Sequence, residues 1–196
     1  EVELETGKIH IKHPCKGKVP IYVAASGPKM LELSGRIADG IIILVGVTDE
    51  YLRQAKERIE AGAKVAGRKL SDIDLVLWAP CAVSDKARAK DAVKAHVARV
   101  VAHPQPYVLN EREQKVLAEI RQTYDYYYHM EQQANHAEVI PDWLVDKFAI
   151  AGTREECRAK VEEVKKSGIN QIAIIPYGAG AEDREDTLKG FASAAF

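Results

Sequence analysis

Two short glycine-containing turns are the places in this 196-residue sequence where the residue types could do chemistry. Ser26 and Gly27 lie in one turn and Gly46 lies in the other, and each turn follows an apolar run and precedes a stretch with helical spacing. Free N–H groups at a helix N-terminus attract anions, and glycine lets a ligand approach the backbone closely. The two turns are therefore candidate phosphate sites, although small residues are also usual between a strand and a helix.

The segments around these turns predict the elements that would position them. Four short apolar runs are typical of strands covered on both faces; they lie at residues 21–25, 41–45, 73–79 and 169–175. Stretches with helical spacing separate these runs, which predicts a parallel α/β sheet with right-handed crossovers. In such a sheet a ligand lies beyond the C-terminal ends of the strands, where both turns are found.

Local signals predict how individual helices are oriented and where they begin. Met30, Leu33 and Ile37 have the spacing of a buried stripe in the first helix. Thr153 and Glu156 form the pattern of a capping box, which predicts a helix start at this point.

The regular alternation is interrupted at residues 80–152, which have the pattern of helices and loops without a strand. An insertion of this length after a strand is usually functional, and we expect it to lie over or beside the C-terminal ends of the strands. Trp78 precedes the insertion and Tyr177 follows the last strand, so both are candidate substrate contacts. Packing against a helix is the alternative role for Trp78.

Several other residues carry weaker signals. The tyrosine-rich run at 124–129 has the spacing of a core or a subunit contact, and His96 is expected to be a core histidine with its hydrogen bonds satisfied. No histidine has a partner at a recognisable ligand spacing, so no metal site is expected. The near-zero net charge of −1 predicts neither a nucleic-acid partner nor an anionic membrane surface, and no apolar run is long enough to span a bilayer.

Two stretches of the sequence resemble the luciferase-like monooxygenase family. The first is PIYVAASGPKMLELSGRIADG at residues 20–40, and the second is FAIAGT at residues 148–153 with Glu155, Glu156 and Gly168 after it. The GPKML version of the first stretch is most similar to the deazaflavin-dependent branch of the family, and within it to methylenetetrahydromethanopterin reductases. This resemblance covers nearly the whole chain.

The resemblance implies a (β/α)₈ TIM barrel of the luciferase-like type with a helical insertion after its seventh strand. The four predicted strands would be strands five to eight, so residues 1–196 would form the C-terminal half of one barrel domain, with the insertion at about 80–152. The cofactor-binding residues would be Ala25, Ser26, Gly27, Pro28, Val45 and Gly46. Residues that handle the reacting ring come from the first four strands of the family, so catalytic residues are not assigned in this chain.

The function implied by the resemblance is an oxidoreductase that transfers hydride between coenzyme F-420 and a small-molecule substrate. An FMN-dependent monooxygenase is the enzymatic alternative, and a non-catalytic, flavin-binding relative is the alternative of another class. A cytoplasmic location is also expected, since the three cysteines are widely spaced and odd in number. A homo-oligomer is expected as well.

The chain itself is expected to be an incomplete barrel. Barrel closure needs eight strands, whereas four are counted here, and the chain begins at Glu1 inside a predicted hairpin. The runs at 21–25 and 169–175 would then be open edges of the sheet, and such edges pair with further strands.

Overall fold

The computed structural model describes residues 17–123, 139–178 and 181–192 of the chain. Five parallel strands form one sheet in this part; they are β1 (Tyr22–Ala25), β2 (Gly40–Ile43), β3 (Asp74–Val83), β4 (Ile150–Gly152) and β5 (Gln171–Pro176). The parallel α/β architecture expected from the sequence is therefore present. The hairpin predicted near the start of the chain and the tyrosine-rich run at 124–129 lie outside the described residues.

Seven α-helices connect and cover these strands in the described part of the chain. They are α1 (Pro28–Ile37), α2 (Asp49–Val65), α3 (Lys86–Ala102), α4 (Glu111–Thr123), α5 (Asp142–Phe148), α6 (Arg154–Lys166) and α7 (Ala181–Ala192). The predicted capping box is confirmed at the start of α6, because Thr153 Oγ1 accepts from Glu156 N at 3.3 Å and Glu156 Oε2 accepts from Thr153 N at 3.0 Å. No helix described by the structure is both long and apolar enough to cross a membrane.

The long strand β3 holds the sheet together. Its first half pairs with β2 on one side, its middle pairs with β5 on the other, and its last residues pair with β4. Because Cys81 is in register with both Ile150 of β4 and Pro176 of β5, these two strands lie on opposite sides of β3. The order across the sheet is thus β1, β2, β3 and β5, with β4 beyond the end of β2.

The two faces of the sheet differ, and the edge strands β1 and β5 correct the expectation of strands covered on both faces, whereas β2 and β3 are largely buried. On one face the alternating residues Ile41, Ile43, Leu75 and Leu77 are fully buried beneath helices. On the other face Val76 is buried, but Tyr22 and Ala24 are exposed, and the side chains of Ile42, Trp78 and Ile175 are partly exposed. Helices cover only one side of a barrel wall, and the other side becomes enclosed only when the barrel closes.

The first helix presents a different face to the protein from the one predicted. Met30, Leu33 and Ile37 are exposed, Ile37 by 63%, whereas Leu31 and Ser34 are buried. The cause is a very close contact with α2. A Cβ added to Gly35 would lie 2.1 Å from the carbonyl oxygen of Ile59, so no side chain fits there.

The boundaries of the predicted insertion are also corrected. Residues 80–152 were expected to contain no strand, but β3 continues to Val83 and β4 occupies Ile150–Gly152. Between them the described residues form helices and loops, as expected. This part of the chain lies against the C-terminal ends of β1 and β2, because Pro104 approaches Gly27 and the Tyr107 hydroxyl donates to Val45 O.

Candidate functional site

The turn after β1 is open where a ligand could approach. Gly27 has φ −70° and ψ 151°, which any residue can adopt. A Cβ added there would meet its nearest neighbour, Cβ of Pro104, at 3.7 Å, an ordinary contact. Neither backbone conformation nor packing within the described chain therefore requires glycine at this position.

The helix that follows this turn begins without a side-chain cap. Pro28 occupies the first turn of α1, and the Gly27 carbonyl accepts from Leu31 N at 3.0 Å, but no side chain bonds the first amides. In contrast, Thr48 caps α2 and Asp85 caps α3. The N-terminus of α1 consequently keeps N–H groups that can donate to an external acceptor.

The turn after β2 is filled by the protein itself. Gly46 has φ +100°, and a Cβ there would lie 2.7 Å from Lys147 O and 2.9 Å from a ring carbon of Tyr51. Val45 O accepts from the Tyr107 hydroxyl at 2.6 Å, and Val47 N donates to Lys147 O at 2.8 Å. The positive φ and the close protein neighbours therefore require glycine at position 46.

A buried carboxylate ties the insertion to this second turn. Glu113 is 2% exposed and accepts from the Tyr51 hydroxyl at 2.6 Å, from Asn110 N at 2.8 Å and from the Lys147 ammonium. The rings of Tyr51 and Tyr107 stack with centroids 3.8 Å apart. Burial by itself would raise the pKa of Glu113, but the hydrogen bonds from Lys147, Tyr51 and the Asn110 backbone outweigh it and lower that pKa.

The two turns are neighbours at the same end of the sheet. Ala25 is in register with Ile43, and Leu44 N donates to Ala25 O at 3.3 Å. The loop after α3 runs past both turns, since Pro104 lies against Gly27 and Tyr107 bonds Val45. The predicted residues Ala25, Ser26, Gly27 and Pro28 are therefore beside Val45 and Gly46, as their places at consecutive strand ends require.

Trp78 and Tyr177, the two candidate substrate contacts, meet on a third residue. The His96 ring packs edge-on against both, with centroid separations of 6.2 Å to Trp78 and 5.5 Å to Tyr177. His96 Nδ1 and the Tyr177 hydroxyl are hydrogen-bonded at 2.7 Å. This places Trp78 of β3, His96 of α3 and Tyr177 after β5 in one cluster near the C-terminal ends of the strands.

His96 is not the fully satisfied core histidine expected from the sequence. It is 1% exposed, yet its Nε2 atom is buried without a hydrogen-bond partner in the described structure. Burial, with a smaller effect from the positive charge of Arg99, lowers the pKa of His96 to about 4, so the ring is neutral at pH 7. Its spacing on α3 could not reveal this, because its partner Tyr177 is 81 residues away.

The donor set at this end of the sheet suits an organic anion better than a metal ion. Within the described residues no group of three or more histidine, cysteine or acidic side chains is arranged to hold a metal. The uncapped start of α1 offers backbone donors, and the space above Gly27 would be filled by any larger side chain. These features fit the phosphate of a nucleotide-like cofactor.

Comparison with known proteins identifies the family that the chain resembles. Residues 5–171 match the family model described as luciferase-like monooxygenase. The 5,10-methylenetetrahydromethanopterin reductase of Methanolobus tindarius is 35% identical over 173 residues, which are 85% of this chain and 51% of that protein. The reductase of the same name from Archaeoglobus fulgidus is 31% identical over 166 residues, covering 83% of this chain and 50% of that protein.

A solved structure agrees with these sequence matches. The coenzyme F-420 dependent tetrahydromethanopterin reductase from Methanopyrus kandleri superimposes with a TM-score of 0.68 at 26% identity. The match covers 89% of this chain and 49% of that one. The chain thus spans about half the length of the relatives it matches.

Proposed function

The chain belongs to the luciferase-like monooxygenase family, and we propose that it forms the C-terminal half of a barrel oxidoreductase that transfers hydride between coenzyme F-420 and a small-molecule substrate. Residues 1–196 would be one part of a single barrel domain, with its insertion covering the C-terminal ends of the strands. A one-carbon adduct of a pterin is the substrate favoured by the similarity to methylenetetrahydromethanopterin reductases.

The observation that carries this proposal is the open turn at Gly27. The position is glycine although neither its φ of −70° nor any protein neighbour requires it. A bound phosphate that needs close access to the backbone supplies a reason. Ser26 and Gly27 would hold the phosphate together with the first amides of α1, while Ala25 and Pro28 fix the turn.

The second turn would support this site. Val45 and Gly46 belong to the proposed cofactor-binding set, but their backbone is held by Tyr107 and Lys147. Their backbone would lie behind the phosphate, and the hydrogen bonds around Glu113 would keep this backbone in position.

The remaining parts of the proposed site lie on the partly open face of the sheet. A deazaflavin, when bound, supplies the carbon that gives or accepts hydride, and the protein supplies orientation. Trp78 is half-buried on this face and offers a flat surface to a ring, and Tyr177 follows β5 at the same end. The insertion would limit the access of water from above.

The family also contains FMN-dependent monooxygenases, so FMN is the second candidate cofactor. F-420 is favoured because the matched reductase from Methanopyrus kandleri is described as coenzyme F-420 dependent and resembles this chain over 89% of its length. The expectations of a homo-oligomer and of a cytoplasmic location rest on the sequence.

A binding titration tests the proposal directly. The protein is titrated with oxidised F-420 and, separately, with FMN, while cofactor fluorescence is followed. We expect F-420 to bind at least about tenfold more tightly than FMN, and Gly27→Val to abolish binding of F-420. Gly17→Val is the matched control, because a Cβ at Gly17 has no neighbour within 4 Å. Tighter binding of FMN would favour the monooxygenase, and binding of neither would reject the proposed function.

A further inference from the structure

The sheet ends in two open edges, because no strand among the described residues pairs with the outer side of β1 or of β5. We infer that these edges close on a second copy of this chain, so that two copies form one barrel with a seam between β5 of each copy and β1 of the other. The proposed function treats the chain as one half of a barrel. This inference rests on that barrel and names its other half, whichever cofactor binds.

The number of strands fits this closure. Four strands cross the sheet in the order β1, β2, β3 and β5, while β4 pairs only with the last residues of β3. A barrel of this type closes with eight parallel strands. A twofold rotation about the barrel axis keeps every strand pointing the same way, so two copies supply eight strands and both seams are parallel. The closed pair then has no free edge.

The two edge strands have the surface of strands that become covered. None of the six residues of β5 is buried, and in β1 only Ala25 is, whereas most of β3 is buried. Neither strand contains a lysine, and the one proline, Pro176, stands at the very end of β5. Edges that stay exposed in native proteins are usually protected by charges, prolines or bulges. These two edges are therefore suited to pairing.

The helices beside the two edges have complementary surfaces. At each seam α1 of one copy would lie next to α7 of the other, because α1 follows β1 and α7 follows β5. Met30, Leu33 and Ile37 form an exposed apolar stripe on α1, and Leu188 is 44% exposed on α7. The helix α1 contains two basic residues and one acidic residue, whereas α7 contains four acidic and two basic residues. A second copy would thus bring helices of opposite net charge together and cover the stripe.

The partly open face of the sheet is suited to enclosure. The carboxylate of Asp74 accepts from the Tyr22 hydroxyl at 2.6 Å and from Gln171 Nε2 at 2.7 Å, so it keeps these partners when water is excluded. Ile42 and Trp78, on the same face, are partly exposed in the single chain. Closure by a second copy would turn this face into an interior, which the proposed ring site needs in order to exclude water.

The mass of the chain in solution is the first test. Sedimentation equilibrium should give twice the chain mass of 21.7 kDa. The mass should not rise further with concentration, because a closed pair has no free edge. A monomer would overturn the inference and would favour the first four strands of a single-chain barrel as the cover of both edges. Larger assemblies would overturn it too, since they require edges that do not close.

A cross-linking experiment locates the seam. Ala24 of β1 and Ala173 of β5 are separated within one chain by two strands, roughly 14 Å along the sheet, whereas they become neighbours at a seam. The double variant Ala24→Cys with Ala173→Cys, in a Cys15→Ser chain, should therefore give a covalent dimer with a short bismaleimide. Either single variant should not, because its two thiols lie across the barrel. A dimer from Ala24→Cys alone, or none from the double variant, would overturn the inference.

Two matched substitutions test the helices at the seam. Ile37 and Val65 are the last residues of α1 and α2 and are 63% and 68% exposed, but only Ile37 belongs to the stripe. Ile37→Glu should weaken the dimer by about tenfold or more, because an apolar contact is lost at both seams. Val65→Glu should leave the dimer unchanged. Equal effects would mean that the copies associate through another surface, which would overturn the inference.

The inference and the proposed function fail in different measurements. If the chain binds F-420 as a monomer, the inference is wrong and the proposed function stands. If the dimer forms through these edges but binds neither F-420 nor FMN, the inference stands and the proposed function is wrong.

Discussion

The turns after β1 and β2 look alike in the sequence and differ in the structure. Both join a strand to a helix and both contain a glycine. At Gly46 the chain itself occupies the space, with Lys147 O 2.7 Å from the position of a Cβ. At Gly27 the nearest protein atom would be 3.7 Å away. A glycine can thus be required by the fold or by something the fold binds, and only the neighbours of its missing side chain distinguish these cases.

The largest effect on stability is expected at Gly46. Gly46→Ala forces a side chain into a φ of +100° and against Lys147 O. Backbone strain and overpacking together should lower the free energy of unfolding by about 2–4 kcal/mol. Urea unfolding followed by circular dichroism measures this loss, and a change below about 0.5 kcal/mol would remove the contrast between the two turns.

A smaller loss of stability is expected when the Tyr107 hydroxyl, which bonds the second turn, is removed. Tyr107→Phe removes the hydroxyl that donates to Val45 O at 2.6 Å. The buried carbonyl is then left without this donor, which should cost about 1–3 kcal/mol in unfolding free energy. The same urea experiment measures it, with Tyr22→Phe as a control that removes an exposed phenol hydroxyl. Equal effects of the two variants would contradict a special role for the Val45 contact.

The Glu113 network adds a dependence on pH at the second turn only. The pKa of Glu113 is lowered in the folded state from its ordinary value of 4.5, so its ionised form stabilises the fold above that value. This stabilisation should be lost progressively as the pH falls from 4.5 through the lower folded pKa. Unfolding midpoints measured across this interval should fall more steeply for the parent than for Glu113→Gln. If the midpoints of the two proteins fall in parallel with pH, Glu113 is not the group that causes the pH dependence.

The smallest change in stability is expected at Gly27. Alanine fits its φ of −70° and ψ of 151°, so Gly27→Ala should leave the unfolding free energy unchanged or raise it by up to about 0.5 kcal/mol. Affinity for F-420 should nevertheless fall, because the added methyl group occupies space proposed for the phosphate. Unfolding and fluorescence titration of one preparation test both statements. A destabilised Gly27→Ala, or one with full affinity, would mean that the two turns serve similar roles.

What could be predicted from the sequence was encoded locally. The positions of β1, β2, β3 and β5 follow from short apolar runs, although β4 was missed, and the cap of α6 follows from Thr153 and Glu156, which lie three residues apart. The buried face of α1 could not be predicted in this way, because the contact of Gly35 with the Ile59 carbonyl depends on how two helices pack. For the same reason, the partner of His96 became visible only when α3 and the end of β5 were placed together.

The length of β3 shows how tertiary context also overrides a local signal. The predicted strand at 73–79 stops just before Pro80, and proline has no N–H to donate within a sheet. In the structure, Leu75 O and Cys81 O accept from Asn170 N and Tyr177 N, at the two ends of β5. The backbone groups of successive strand residues point to alternate sides, so the nitrogen of Pro80 points away from β5. There β2 has already ended at Ile43 and β4 begins opposite Cys81. The nitrogen of Pro80 therefore lies between the end of β2 and the start of β4, where no neighbouring strand needs its N–H. The strand can continue past Pro80 for this reason.

The contact between α1 and α2 has a consequence for motion. Gly35 lies against the Ile59 carbonyl, and a Cβ on Gly62 would lie 1.8 Å from the Glu32 carbonyl, so the two helices touch backbone to backbone. Side chains that could change rotamer and let one helix slide past the other are absent at these two points. We expect α1 and α2 to move as one rigid body, which amide relaxation measurements would show as shared slow dynamics. A displacement of α1 at the Gly27 turn would therefore carry α2 with it.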